Sequence, residues 1–232
     1  NTTINNENAP QPVNVTSVTY TTENMIVVWV KYPDEDFVSY ELLSSGSQNG
    51  LYTILETLSD VNTTSHLLSE FNPLIENWFK IRVTNEFRLS SIGTGMTNSL
   101  DSEPTPVNIT SVTYDLESMT ITWEDYVPNM GRIQRMNQNI RSTVTNDFVS
   151  YELFQSDTED GTYSSVVVIT DQSTTSHSLT EFDPTQENWF KVKVTDYWNL
   201  TSTGNSMTNE IVSPPTPSEI YPIESDNGSF II

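Results

Sequence analysis

The sequence predicts an all-β protein: two tandem seven-stranded β-sandwiches followed by a partial third-repeat strand segment. Three observations predict it. The first is an internal duplication. PVNVTSVTYTTENMIVVW at residues 12–29 returns as PVNITSVTYDLESMTITW at 106–123 and begins again as PSEIYPIESDNGSFII at 217–232. A repeat of roughly 100 residues is a domain rather than a solenoid unit. The second is composition: the chain is rich in Thr, Val, Ile, Tyr, Phe and Trp, punctuated by Asn, Ser, Pro and Gly, which suits pleated strands joined by turns. The third is period. Short stretches alternate apolar and polar, and no stretch repeats at helical spacing.

Size and charge narrow the classes. With 232 residues, each repeat is long enough to bury a core without help from metal or disulfide. There are no cysteines, so neither disulfides nor thiol chemistry is available and the redox compartment stays open. Nine basic residues stand against 31 acidic ones, for a net charge of −22. Such a chain repels polyanions, so nucleic acid and anionic lipid are poor partners, and the acidity itself reads as solubility. No apolar run is long enough to span a membrane. The chain starts at Asn1 with neither an initiator Met nor a signal-peptide pattern, which reads as a mature form or a fragment.

Residues 1–8, NTTINNEN, are polar and aperiodic and read as a flexible N-terminal segment. The first domain covers residues 9–102. Its opening strand, residues 13–20, passes through a turn into a second strand at 25–30. In the second copy Met119, Ile121 and Trp123 face one way and Thr120 and Thr122 the other, the period of a half-buried strand. DFVSYEL follows, identical at 36–42 and 147–153. A hairpin comes next, with Asn49-Gly50 or Asp160-Gly161 at its turn, where a glycine makes positive φ cheap. TTSH (63–66, 174–177) opens another short strand. ENWFK (76–80, 187–191) opens the strongest one, with Phe79, Ile81 and Val83 inward and Lys80 and Arg82 outward. Closing strands carry Met96-Thr97-Asn98 and Met207-Thr208-Asn209. Seven short strands with regular turn signals argue two stacked sheets.

At this point each repeat resembles a fibronectin type III domain, an immunoglobulin-like β-sandwich. The residues that carry the resemblance are the Pro before the first strand, Trp29 and Trp123 ending the second, and Tyr40-Glu41-Leu42. To these are added the Gly-x-Tyr hairpin and the turns Phe71-Asn72-Pro73 and Phe182-Asp183-Pro184 into an aromatic-led strand. The resemblance implies fold and says almost nothing of function. One position departs from it. Where the family usually has a corner tyrosine, this chain has Asn77 or Asn188. Either the asparagine amide holds the corner or the loop is reset.

The second domain, residues 103–213, carries an insertion. The repeats are offset by 94 residues up to the tryptophan and by 111 from DFVSYEL onward, so residues 126–146 hold 17 extra ones. Arg132, Arg135 and Arg141 lie in this loop. Two readings stand: a tolerated surface insertion docked on its own domain, or an interaction loop for an acidic neighbouring surface. Residues 214–232 also carry two. They are either the start of a third domain or an assembly strand, with Ile220, Ile223, Phe230 and Ile232 pairing across to a neighbouring subunit.

Chemistry is scarce. His66 and His177 occupy equivalent positions one domain apart and share no site. Without cysteine and with one histidine per domain, structural zinc is excluded. Asp34-Glu35-Asp36 and Asp157 with Glu159-Asp160 lack the spacing of a dedicated calcium loop. No nucleophile elbow or phosphate-cradling loop is present, so no catalytic residue, metal ligand or cofactor is expected. Lys80/Arg82 and Lys191/Lys193 are expected to pair with Glu41 and Glu152 on the neighbouring strand. Asn14, Asn62, Asn108 and Asn199 head Asn-x-Ser/Thr sequons, as do Asn1 and Asn227, and are glycan acceptors if the source glycosylates its secreted proteins.

The expectation is a non-catalytic extracellular or cell-surface module: a spacer, adhesin stalk or fibre subunit acting through protein–protein contacts, with self-association or neighbouring domains as partners. A short linker, residues 102–106, carries Pro104 and Pro106 and stiffens the joint into an extended rod. The alternative is an accessory carbohydrate-binding module of a secreted polysaccharide-acting enzyme. That reading needs an exposed aromatic platform, for which Trp198 is the one candidate, and core or linker packing suits this tryptophan better.

Overall fold

The computed structural model describes residues 8–128 and 147–212. The first repeat contributes β1 (Val15–Tyr20), β2 (Met25–Trp29), β3 (Phe37–Ser45), β4 (Thr53–Leu58), β5 (Ser65–Leu68), β6 (Trp78–Asn85), β7 (Ser90–Ile92) and β8 (Met96–Thr97). The second contributes β9 (Ile109–Tyr114), β10 (Met119–Trp123), β11 (Phe148–Ser156), β12 (Ser164–Ile169), β13 (Ser176–Leu179), β14 (Trp189–Asp196), β15 (Thr201–Thr203) and β16 (Met207–Thr208). In each repeat a three-stranded sheet, β1-β2-β5 or β9-β10-β13, packs against a larger sheet ordered β4-β3-β6-β7 or β12-β11-β14-β15. All pairings are antiparallel. The fourth strand pairs with the third instead of joining the first sheet, unlike the immunoglobulin constant type, where it lies on the sheet of the first strand. Two tandem fibronectin type III-like β-sandwiches are therefore present.

The alternations behave as the sequence predicts. Met25, Val27 and Trp29 of β2, and Met119, Ile121 and Trp123 of β10, are buried on the inner face of the smaller sheet. Phe79, Ile81 and Val83 oppose them from β6, and Phe190, Val192 and Val194 from β14. Tyr40 and Tyr151 close each core and also serve a loop. The Tyr40 hydroxyl accepts from the Tyr32 N–H at 2.7 Å and donates to the Val61 carbonyl at 3.2 Å. Tyr151 repeats this with Tyr126 and Gln172.

Three details differ from expectation. The last strand is interrupted, as β7/β8 and β15/β16, because the chain there leaves β6 or β14 to meet the start of its repeat. Gly93 and Gly204 sit at this crossing. A Cβ on either would lie within 2 Å of the Val13 or Val107 carbonyl oxygen, so no larger residue fits. The hairpin glycines do not use positive φ. Gly50 and Gly161 instead leave room for Ser45 and Ser47, or Ser156 and Thr158. Positive φ occurs at Arg88 and Asn199 in the turns after β6 and β14.

The corner question is answered by the asparagine amide. Asn188 Nδ2 donates to the Asp183 and Gln186 carbonyls at 3.0 and 3.1 Å. Its backbone N–H donates to Asn209 Oδ1 at 2.8 Å. Asn77 and Asn98 build the same pair in the first repeat, with Asn77 Nδ2 on the Asn72 and Ile75 carbonyls. A carboxamide has donors and an acceptor at once, so two asparagines replace one phenol.

Candidate functional site

The site with the most built-in geometry lies where the two repeats meet. It starts from the turn joining β14 to β15. Asp196, fully buried, accepts the Trp198 and Leu200 N–H groups on Oδ1 at 2.9 Å each. The Asn199 N–H returns to the Asp196 carbonyl at 3.0 Å, and Asn199 takes φ 62°, which asparagine tolerates. The turn so fixed projects Trp198 onto the first sandwich. Its ring lies 5.5 Å from Phe71 and 6.4 Å from Tyr20, both edge-on, and Tyr20 and Phe71 are themselves 6.1 Å apart. Edge-to-face pairs of this kind contribute about 0.5–1.5 kcal/mol each beyond burial. Trp198 Nε1 is shielded from solvent and has no acceptor, which shows how closely the indole is covered. Tyr20 Oη lies 3.5 Å from Asp101 Oδ1.

Trp198 is therefore a joint residue between repeats and not an exposed glycan platform. Periodicity marks Trp198 as extra to the strand pattern. Its partners Tyr20 and Phe71 carry no signal, because a contact between repeats depends on their mutual pose rather than on local spacing. The linker is anchored too. The Ser202 hydroxyl donates to the Pro104 carbonyl, as Ser91 does to Pro10 at 2.6 Å, and Pro104 is buried.

A tyrosine–carboxylate pair closes the loop before β3 or β11, at the end away from the joint in the first sandwich and beside the Trp198 turn in the second, where the Tyr197 N–H donates to the Asp147 carbonyl at 2.7 Å. The Tyr32 hydroxyl donates to Asp36 at 2.9 Å and the Tyr126 hydroxyl to Asp147 at 2.6 Å. Burial first, then the carboxylate that each hydroxyl faces, push both phenols far above the ordinary tyrosine value. Asn85 Nδ2 bonds Asp36 in the first repeat at 3.2 Å, and Asp196 takes the place of Asn85 in the second. A depression of about 490 Å³ beside Tyr32 is lined by Lys31, Asp34, Glu35 and Asp60 and opens to solvent. Among the described residues no group of three or more His, Cys, Asp or Glu is placed to hold a metal ion. No helix among them is long and apolar enough to cross a membrane.

The basic stripes form cross-strand pairs. Arg82 binds Glu41 and Lys193 binds Glu152. The Lys193 ammonium, then Ser165, hold the Glu152 carboxyl below its ordinary value. Lys80 and Lys191 turn elsewhere, lying over the rings of Tyr52 and Tyr163 at 4.2 and 3.7 Å. Among the sequons, Asn14, Asn62 and Asn199 are exposed and Asn108 is half-buried. Asn14 and Asn108 use their Oδ1 to accept from the Thr94 and Asn205 N–H groups at 2.7 and 3.1 Å. Arg132, Arg135 and Arg141, and the tail residues Ile220, Ile223, Phe230 and Ile232, lie outside the described residues, as do Asn1 and Asn227.

No family model matches the chain, and no curated protein does. Among solved structures, the chain is similar to a two-domain fibronectin type III segment of chicken tenascin. The identity is 17% and the TM-score 0.35, over 87% of this chain and 98% of that one. It is also similar to the FN1–FN3 domains of chicken CNTN1, at 11% identity and TM-score 0.33, over 87% of this chain and 69% of that one. Neither likeness bears on what this chain does, and the fold stands on its own strand order.

Proposed function

We propose that the chain is a non-catalytic extracellular or cell-surface structural module, a spacer, stalk or fibre subunit, that works through protein–protein contacts. The observation that carries this reading is the aromatic joint. A tryptophan extra to the strand pattern is held by a buried aspartate so as to lock one sandwich against the next. An array whose repeats are docked transmits position along its length, which is what a spacer needs. The insertion with Arg132, Arg135 and Arg141 is assigned to contact an acidic neighbouring surface, and residues 214–232 to pairing with a neighbouring subunit.

Affinity electrophoresis through gels containing soluble polysaccharides, run beside small-angle scattering of the same chain, tests the reading. The expected result is unretarded migration and one elongated scattering shape. Retardation by a polysaccharide that Trp198→Ala abolishes would replace the structural reading with the carbohydrate-binding one.

A further inference from the structure

The joint described above is made of repeated parts, and each part has a second, uncovered copy. The platform Tyr20–Phe71 recurs at the far end of the second sandwich as Tyr114–Phe182, with the rings again 6.1 Å apart. The turn that carries Trp198 recurs in the first sandwich with Phe87 at the equivalent position. It is held the same way: Asn85 Oδ1 accepts from the Phe87 and Leu89 N–H groups at 3.2 and 3.1 Å, and Arg88 takes φ 59°. Exposure separates the used copies from the unused ones. Thr21, Thr22 and Pro73 around the first platform are half-buried or buried. Their equivalents Asp115 and Leu116 are exposed and Pro184 is half-buried. Leu116 stands 103% exposed and Phe87 42%, whereas Trp198 is largely covered. Beside Tyr114 a depression of about 580 Å³ is lined by Val112, Met207 and Glu210.

The repeated geometry names the occupant, and the charges bear on it. The second platform is ringed by Asp115, Glu117, Glu181 and Asp183, where the first has Thr21, Glu23, Glu70 and Asn72. The free turn carries Arg88 where the docked one carries Asn199, with Glu86 on the other side of Phe87 in place of Tyr197. Arg88 thus meets the more acidic of the two rims only when the first sandwich of one chain meets the second sandwich of another, a local complementarity that helps fix register. We propose that the Tyr114–Phe182 platform docks the Phe87–Arg88 turn of a second copy of this chain, head to tail, as Tyr20–Phe71 docks Trp198 within one chain. This rests on the structural-module reading and names its partner. The contact is heterologous, so it propagates in one dimension rather than closing a dimer. Within a chain the linker supplies a high effective concentration; between chains that help is lost and association is weak.

Sedimentation velocity of the whole chain tests this, from about 10 µM to about 1 mM in about 0.15 M salt, which screens the overall repulsion. The expected result is a sedimentation coefficient that climbs with concentration as elongated oligomers form. Phe87→Ala and Leu116→Arg alter exposed side chains at opposite ends, so both variants fold, and each alone weakens association about tenfold or more. Arg88→Asn, which keeps the turn conformation of Asn199, weakens it by a smaller factor. Mixing the Phe87→Ala and Leu116→Arg chains leaves one intact platform and one intact turn, so the mixture forms dimers and nothing longer. Three results would overturn the proposal: a monomer at every concentration, association indifferent to either substitution, or a mixture that stays monomeric. None of them touches the structural reading, which the polysaccharide and scattering experiment decides separately.

Discussion

Replacing Asn188 by alanine removes the corner of the second sandwich. Its Nδ2 holds two carbonyls, those of Asp183 and Gln186, and its Oδ1 accepts from Gln155 Nε2 at 3.1 Å. A net value of about 1 kcal/mol per hydrogen bond gives a loss of about 2–3 kcal/mol, discounted little because Asn188 is 6% exposed. At a urea slope of about 1–1.5 kcal/mol/M for a domain of this size, the midpoint falls by about 2 M. The two sandwiches unfold separately enough that whole-chain signals mix, so amide-resolved NMR in a urea series is the assay. Only resonances of the second repeat should shift. Asn188→Asp is the sharper perturbation. It keeps the shape but turns a donor into a carboxylate facing two carbonyl oxygens and Asn209 Oδ1, so at pH 7 it costs more than alanine does. That carboxyl has a folded-state pKa raised above its unfolded value. Its destabilisation is therefore small below the ordinary carboxylate range, about pH 4, and grows as pH rises through it. An Asn188→Asp protein as stable as the parent at pH 7, or more stable than Asn188→Ala, would refute the asparagine corner.

Other outcomes follow from the same geometry. Gly204→Ala drives a methyl group into the Val107 carbonyl and is expected to lower the stability of the second sandwich by about 1–3 kcal/mol, read as a shift of its denaturation midpoint; Gly93→Ala does the same to the first. Trp198→Ala leaves both sandwiches folded but frees the joint, so residual dipolar couplings should report one common alignment for the two repeats in the parent and two different ones in the variant. The depressed Glu152 carboxyl gives stability present above its unfolded pKa and lost as pH falls through the folded one. Glu152→Gln should therefore flatten part of the acid limb of a pH–stability curve below about pH 4. The loss at neutral pH is about 0.2–1 kcal/mol, since the Lys193 partner is partly exposed.

Much of this molecule is legible in its sequence because a strand writes its environment locally. Met119, Ile121 and Trp123 alternate because the sheet has two faces, and duplication shows the same pattern twice. The cross-strand partners of Arg82 and Lys193 follow once β3–β6 and β11–β14 neighbourhood is assumed. The corner is only half legible. A missing tyrosine draws attention to Asn77 and Asn188, but nothing distinguishes Asn98 and Asn209 from the many other asparagines until the closing strand is placed beside them. Arg88 and Asn199 escape notice because positive φ is set by the turn closing on Asn85 or Asp196, while the glycines that seem to invite it serve as clearance. Trp198 stands out as surplus, yet its destination is written in another repeat and emerges only when two folded bodies meet.

That meeting also decides how the chain would respond to a pull. Tension along the polypeptide crosses from one sandwich to the next through residues 101–104, in parallel with one indole lodged on two rings. Inside each sandwich, by contrast, β3 and β6 are laced together from Phe37 opposite Asn85 to Ser45 opposite Trp78, and a ladder of that kind yields only when many bonds break at once. Ring contacts part over a few ångströms and re-form without any strand being lost. The joint therefore acts as a compliant element in series with two stiff ones, lengthening first and recovering when the pull is released.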